Sequence, residues 1–259
     1  MVSSLKTIFW KCFTNIDGVL KFPQLKNEEI GVQLGFDMTS AITSDLFTMH
    51  QRVQPKGYII GIDPDPFNHK EAQKIIEEKE FNINLIQKAT YSKKDTTQFL
   101  FGEKSSWNQL NIIPIDSTVN FSGKEITVEL ETLDDIIENL TIDIQKLGHI
   151  NITINGAEYH TLLGMENILS KSKNLSLTII AGRHDESGTI NGKKDYELIL
   201  PLLHSYGFTT KFKRINELFW WGFIVKTLVN RKWIYNQPNF GVIMAGKGNK
   251  KPKWYQSFS

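Results

Sequence analysis

Three short stretches of this 259-residue chain set glycines, acids or amides into turns, and each has the makings of a ligand site. The first is Glu29-Ile30-Gly31-Val32-Gln33-Leu34-Gly35. Glycines here let the backbone approach a bound molecule closely, and the helix that follows is electropositive at its start. An ordinary tight turn carries the same residues, and the pattern lacks the middle glycine of a dinucleotide fingerprint. The second is Tyr58-Ile59-Ile60-Gly61-Ile62-Asp63, closed by Pro64 and Pro66. A carboxylate at that point only accepts hydrogen bonds, so Asp63 could take both hydroxyls of a ribose, on a turn that the prolines fix. An aspartate that merely opens a proline turn looks the same. The third is Ile152-Thr153-Ile154-Asn155-Gly156-Ala157-Glu158, again a strand running into a glycine turn. If these strands are parallel, the three turns share one edge of the sheet, the edge at which open α/β sheets bind ligands.

The elements that would position these turns alternate along the chain. Apolar runs of strand length fall at 28–32, 58–63, 82–89, 149–154, 175–180, 208–212 and 240–245. Amphipathic segments at 39–51, 67–79, 132–139, 159–171 and 196–205 suit helices, the last stopped by Gly207. Strands interleaved with helices predict an α/β fold, a mostly parallel seven-stranded sheet covered on both faces. The 27-residue interval between the last two strands holds one helix and leaves room for a reversed edge strand. Residues 91–127 are polar and broken by Gly102, Pro114 and Gly123, which predicts an irregular insertion with short strands. One domain spans 1–259, with an N-terminal extension over 1–27 and a mobile basic tail over 246–259.

Composition narrows the function. Hydrophobic residues make up 40% and charged residues 22%, so the chain is globular rather than disordered. Thirty Lys and Arg against 28 Asp and Glu give a formal charge of +2, no footing for a nucleic-acid binder. Cys12 is the one cysteine, and the histidines show no metal-ligand spacing, so no metal is expected. The start has no long apolar core and no run reaches a membrane span, which makes a soluble cytoplasmic protein the expectation. The segment 218–233, aromatic and apolar with Arg231 and Lys232 at its end, could touch a membrane surface; a helix packed on the sheet or lidding the pocket explains it better.

The three turns together resemble the FkbM-type family of methyltransferases that use S-adenosylmethionine, over residues 28–245. The family's opening pattern Asp-x-Gly-Ala-Asn-x-Gly is read here on EIGVQLG, with Glu29 as the acid, Gly31 and Gly35 as the glycines and Gln33 in place of Asn. Its Glu-Pro-Asp-Pro element is matched by IGIDPDP, with Asp63 as the acid, and its Leu-Asp-Asp-Leu element by TLDDII. Its signature Lys-Ile-Asp-x-Glu-Gly-Ala-Glu is matched by NITINGAE. Gly156, Ala157 and Glu158 are kept, while Asn151, Thr153 and Asn155 replace Lys, Asp and Glu. The resemblance implies a Rossmann-like class I methyltransferase fold and a cofactor site of Glu29, Gly31, Gln33, Gly35, Asp63, Pro64 and Ala89. It implies methyl transfer to a hydroxyl of a sugar, glycan or small metabolite, with Glu158 and Asn155 in the matched motif as catalytic residues; His184, in the turn after the 175–180 strand and of a type that titrates near neutral pH, is the third catalytic candidate. His160 and Asp185 are further candidate bases, and Trp107 with Ser105 and Ser106 could wall the acceptor site. The neutral Thr153 and Asn155 also fit a protein that keeps the cofactor site and has lost catalysis. A dinucleotide or nucleotide-sugar enzyme fits less well, for want of the middle glycine. The expectation common to these readings is that Glu29, Asp63, Gly31 and Gly35 meet at one rim.

Overall fold

The computed structural model describes residues 22–26, 28–39, 44–53, 57–114, 120–181, 190, 192–214 and 241–252. The apolar runs form the strands β1 (Ile30–Leu34), β2 (Tyr58–Ile62) and β3 (Ile83–Ile86), with the helices α1 (Asp45–His50) and α2 (Pro66–Lys79) between them. All of β1 and nearly all of β2 is buried, as a sheet covered on both faces requires. α2 starts at Pro66, whose missing N–H would be idle there, and Asp65 caps it by accepting from Phe67 N.

Residues 89–131 depart from the expected irregular insertion. They form a second sheet of β4 (Ala89–Thr90), β5 (Asp95–Gly102), β6 (Gln109–Leu110) and β7 (Phe121–Glu131), in the order β4-β7-β5-β6. β5 and β7 make a long antiparallel pair from Asp95↔Leu130 to Gly102↔Phe121. The sequence hid this sheet because only part of one face is buried, on a small cluster including Phe99, Leu110, Val128 and Leu130. The outer half of β7 is accordingly polar, and Gly123 interrupts it at φ 76°. The expected strand 82–89 is split, β3 pairing in the first sheet and β4 in the second.

The chain then returns to the first sheet. α3 (Leu133–Asn139) is capped by Thr132, whose hydroxyl accepts from Asp135 N. It is followed by β8 (Leu147–Ile152), α4 (Glu158–Leu163), α5 (Glu166–Lys171), β9 (Ser176–Ala181), α6 (Asp195–Ser205), β10 (Thr209–Arg214) and β11 (Gly241–Gly246). The single helix expected over 159–171 is two. The break falls at Gly164, where a Cβ would lie 2.2 Å from the carbonyl oxygen of Tyr91. Asp134 caps α5 by accepting from the backbone of Asn167 and Ile168.

The first sheet has seven strands in the order β10-β11-β9-β8-β1-β2-β3. Pairs from β3 to β9 are parallel, and β11 is antiparallel to both of its neighbours. The reversed strand therefore stands one place in from the edge, not at the edge. One face packs a large core including Val32, Ile150, Leu162, Leu177 and Leu203, and the other a smaller one with Leu46, Met49, Ile59 and Ala72. Phe22 and Leu25 belong to the smaller core, so the end of the expected N-terminal extension is part of the packed fold. The first residues of the expected mobile tail are fixed as well. Lys247 donates to Leu169 O, and the buried Lys250 pairs with Glu29 at 2.8 Å. Residues 253–259 lie outside the described residues. Among the described residues no helix is long and apolar enough to cross a membrane, and the segment 218–233 is not among them.

Candidate active site

From β1 the chain builds outward to β2 and β3, and on the other side to β8 and β9. The strand order thus reverses between β1 and β8, the point at which an open sheet leaves a crevice at its carboxyl edge. A cavity of about 360 Å³ lies there. Its wall includes Gly35 after β1, Asp63 and Pro64 after β2, Ala89 at the start of β4, and Asn155 and Glu158 after β8. Six of the residues expected from the sequence are therefore brought together.

Asp63 is buried and its carboxylate is already well bonded. Oδ2 accepts from Phe36 N at 3.0 Å, while Oδ1 accepts from Asp65 N at 2.8 Å and Asn68 Nδ2 at 3.3 Å. Of roughly four lone-pair positions, about one remains. Asp63 can take one further hydroxyl, not the two that an unengaged carboxylate could hold. Burial pushes its pKa up to about 7, the hydrogen bonds opposing this and the charge of Asp65 adding to it.

Glu29 and Gly31 lie elsewhere. β1 is in register with β2, Ile30 opposite Tyr58 and Leu34 opposite Ile62, so Glu29 sits at the far end of the sheet from Asp63. The five residues of β1 separate it from Gly35, six steps along the strand or about 20 Å. Its carboxylate accepts from Lys26 N and Lys250 instead. Gly31 is inside β1, where a Cβ would meet Ile59 Cδ1 at 2.5 Å and Met49 Sδ at 2.8 Å; it is small for packing. The expected rim of two acids and two glycines is thus reduced to Asp63 and Gly35. Gly35 has φ 72°, and a Cβ on it would strike Thr153 O at 2.3 Å. Setting the first glycine of the family pattern on this turn slides the pattern by four residues, onto Gln33-Leu34-Gly35-Phe36-Asp37-Met38-Thr39. Gln33 then occupies the acidic position. Its side chain lies beneath the cavity, donating to Gly35 O at 2.6 Å and Thr153 Oγ1 at 3.0 Å.

The second sheet closes over this edge. Asn155 Nδ2 donates to Asn108 O, Asn108 Nδ2 to Asp65 Oδ2, and Ser105 Oγ to Asp37. Ser105 and Asn108 line the cavity, whereas Trp107 turns aside under Lys104. Glu158 opens α4 with its side chain buried in the wall. His160 is outside the wall, stacked on Tyr91 with ring centres 4.8 Å apart, and burial lowers its pKa. His184 and Asp185 lie outside the described residues. Ser44 and Lys88 stand in no motif of the sequence. Ser44 Oγ is buried in the wall with no hydrogen-bond partner among the described residues. Lys88 also lines the cavity and is bridged to Glu131 and Glu129, which hold its pKa up. Neither stands in a pattern; the fold alone assembles them.

The family model of the FkbM methyltransferase domain matches residues 27–210. This chain belongs to the FkbM methyltransferase family. Among solved structures, an FkbM methyltransferase from Methylobacillus flagellatus aligns with 88% of this chain at 14% identity and a TM-score of 0.51. The alignment covers 45% of that protein, so this FkbM chain spans under half its length. At that identity the likeness shows the fold, the Rossmann-like class I methyltransferase fold. Fibrillarin from Aeropyrum pernix, solved with natively bound S-adenosyl-L-methionine, aligns at 12% identity over 91% of this chain and 74% of its own, with a TM-score of 0.46. A methyltransferase from Aquifex aeolicus aligns at 11% identity over 93% and 97%, with a TM-score of 0.40. No curated protein matches the chain in sequence.

The cofactor of the family is S-adenosylmethionine, and the residues present fit it. The cavity is in the size range of small-molecule sites. Its wall sets the apolar Ile62, Phe99 and Leu110 beside Asp63, with about one acceptor position left by its bonds to the described residues, and the Ser44 hydroxyl, which has no partner among the described residues. An adenosyl group offers an apolar ring and ribose hydroxyls to such a wall.

Proposed function

We propose that this FkbM domain transfers a methyl group to a hydroxyl oxygen of a sugar, glycan or other small metabolite. The observation that carries the proposal is the meeting of Asp63, the Gly35 turn and the buried Glu158 around one crevice. When bound, the sulfonium supplies a methyl group already activated by positive charge. The protein's part is alignment and exclusion of water. In this reading Asp63 accepts one ribose hydroxyl, and Gly35, Pro64 and Ala89 shape the cofactor wall. Glu158 accepts the proton of the acceptor hydroxyl, and His184 is the alternative base. Asn155 is an amide spent on Asn108 O, so it orients the second sheet and takes no proton. The ionisable wall residues are Asp37, Asp45, Asp63 and Glu158 against Lys88, which supports an uncharged acceptor over an anionic one. A near-neutral chain supports a small-molecule or glycan acceptor rather than nucleic acid, and a cytoplasmic enzyme is the reading we adopt.

Calorimetric titration with S-adenosylmethionine should give saturable binding, and Asp63→Ala should weaken it roughly a hundredfold, the worth of a hydrogen bond to a charged group. Equal binding by the variant would remove Asp63 from the site. A second reading, a cofactor-binding protein without turnover, is favoured by Thr153 and Asn155, both neutral and both engaged in hydrogen bonds. Incubation with labelled cofactor and a panel of neutral glycans separates the two. Transfer that Glu158→Gln slows about a hundredfold supports the enzyme, and absence of transfer to every acceptor supports the second reading.

A further inference from the structure

The register of β1 on β8 sets Gln33 beside Asn151, and both side chains are wholly buried. With Thr153 they form one chain of hydrogen bonds. Asn151 Nδ2 donates to Gln33 Oε1 at 2.8 Å, and Gln33 Nε2 donates to Thr153 Oγ1 and Gly35 O. The Thr153 hydroxyl donates to Gly35 O at 2.8 Å, with Leu34 O beyond it at 3.1 Å. The network therefore ends on the carbonyl of the cofactor turn. The N–H side of the same turn is held separately, Gly35 N by Ile62 O and Phe36 N by Asp63. Gly35 is gripped from two sides, by Ile62 of β2 through its N–H and by Gln33 of β1 and Thr153 just after β8 through its carbonyl.

The three side chains Gln33, Asn151 and Thr153 are neutral, and Asn151 Nδ2 also donates to the carboxylate of Asp45. In the family pattern position 151 carries Lys and position 153 Asp, and in the register that the Gly35 turn dictates position 33 carries Asp. A buried charge left without its partner is costly, so these positions can change safely only together. Here two acids and a base are all replaced, by groups that can donate to a carbonyl, which a carboxylate cannot do. Asp45 on α1 faces the network at 3.4 Å from Asn151 Nδ2.

We propose that Gln33, Asn151 and Thr153 act as one positioning unit for cofactor binding, holding the Gly35 turn by neutral hydrogen bonds at positions where the family pattern carries charge. The ligand in this inference rests on the reading above; the hold on the turn rests on the geometry alone.

Two measurements on the full chain decide it. Thr153→Val removes the hydroxyl at nearly constant shape, and Thr153→Ser keeps it. The valine variant should bind S-adenosylmethionine about tenfold more weakly and the serine variant within about twofold of wild type. Without ligand, amide hydrogen exchange at Gly35 and Phe36 should quicken about tenfold in the valine variant only. Wild-type affinity and wild-type exchange in the valine variant would overturn the proposal. Should that variant not fold, Thr153→Ala removes the same hydroxyl with a smaller side chain. Weaker affinity and faster exchange in it, with Thr153→Ser near wild type in both, support a unit, and wild-type affinity and exchange in it overturn the proposal. Failure of the wild type to bind the cofactor would instead refute the cofactor reading, and the exchange measurement would still decide whether the network holds the turn.

Discussion

A carboxyl group whose pKa is raised to about 7 by burial carries a definite pH signature, and Asp63 is such a group. Unfolded, it ionises near 3.8; folded, it keeps its proton until about pH 7. Between those values the folded state binds more protons, so this group's effect is full below about pH 4 and fades as pH rises to about 7. Wild type should therefore lose stability relative to Asp63→Asn over that window, as urea midpoints measured at each pH would show. A ligand hydroxyl donating to Asp63 prefers the ionised form. Affinity for S-adenosylmethionine should accordingly tighten from pH 6 to pH 8 and be flat over that range in Asp63→Ala. At this scale the sequence was partly legible. Asp63 and Gly35 could be found because a strand, an acid or glycine and a turn are adjacent in the chain. Glu29 and Gly31 were misplaced because a glycine wanted for packing reads like one wanted for a turn, and only the strand's direction tells them apart.

Elements were legible where both faces are buried and obscure where one is wet. β1, β2, β8 and β9 announce themselves as apolar runs; β5 and β7, half solvated, do not. The break between α4 and α5 was invisible because it is imposed from outside, by the Tyr91 carbonyl against Gly164. Gly164→Ala should then destabilise the protein by about 2–3 kcal/mol, since backbone rather than a side chain must move. Thr132→Ala, which removes only the α3 cap, should cost about 1 kcal/mol. Thermal unfolding of the two variants side by side checks the ranking, and the reverse order would contradict the packing described for Gly164.

At the scale of the whole molecule, the number of strands and their dominant direction follow from the alternation of strand and helix, but sheet order does not. Nothing local in Gly241–Gly246 says that it inserts between β9 and β10. The pairing of Lys250 with Glu29 was equally hidden, 221 residues apart in sequence. It joins the stretch after β11 to the start of β1, and Lys250→Met should destabilise the fold by about 2 kcal/mol, less than a fully buried pair because Glu29 keeps some water. The double variant with Glu29→Gln should recover part of that loss in urea unfolding. The place of β11 also sets a timetable for synthesis. As the ribosome releases the chain, β9 has an open margin and β10 has no seat, because the strand that joins them is made after both. The half of the sheet from β3 to β8 can settle early, while β10 waits for residues 241–246, so a nascent chain stalled before them would carry a bare strand margin fit for chaperone capture or aggregation.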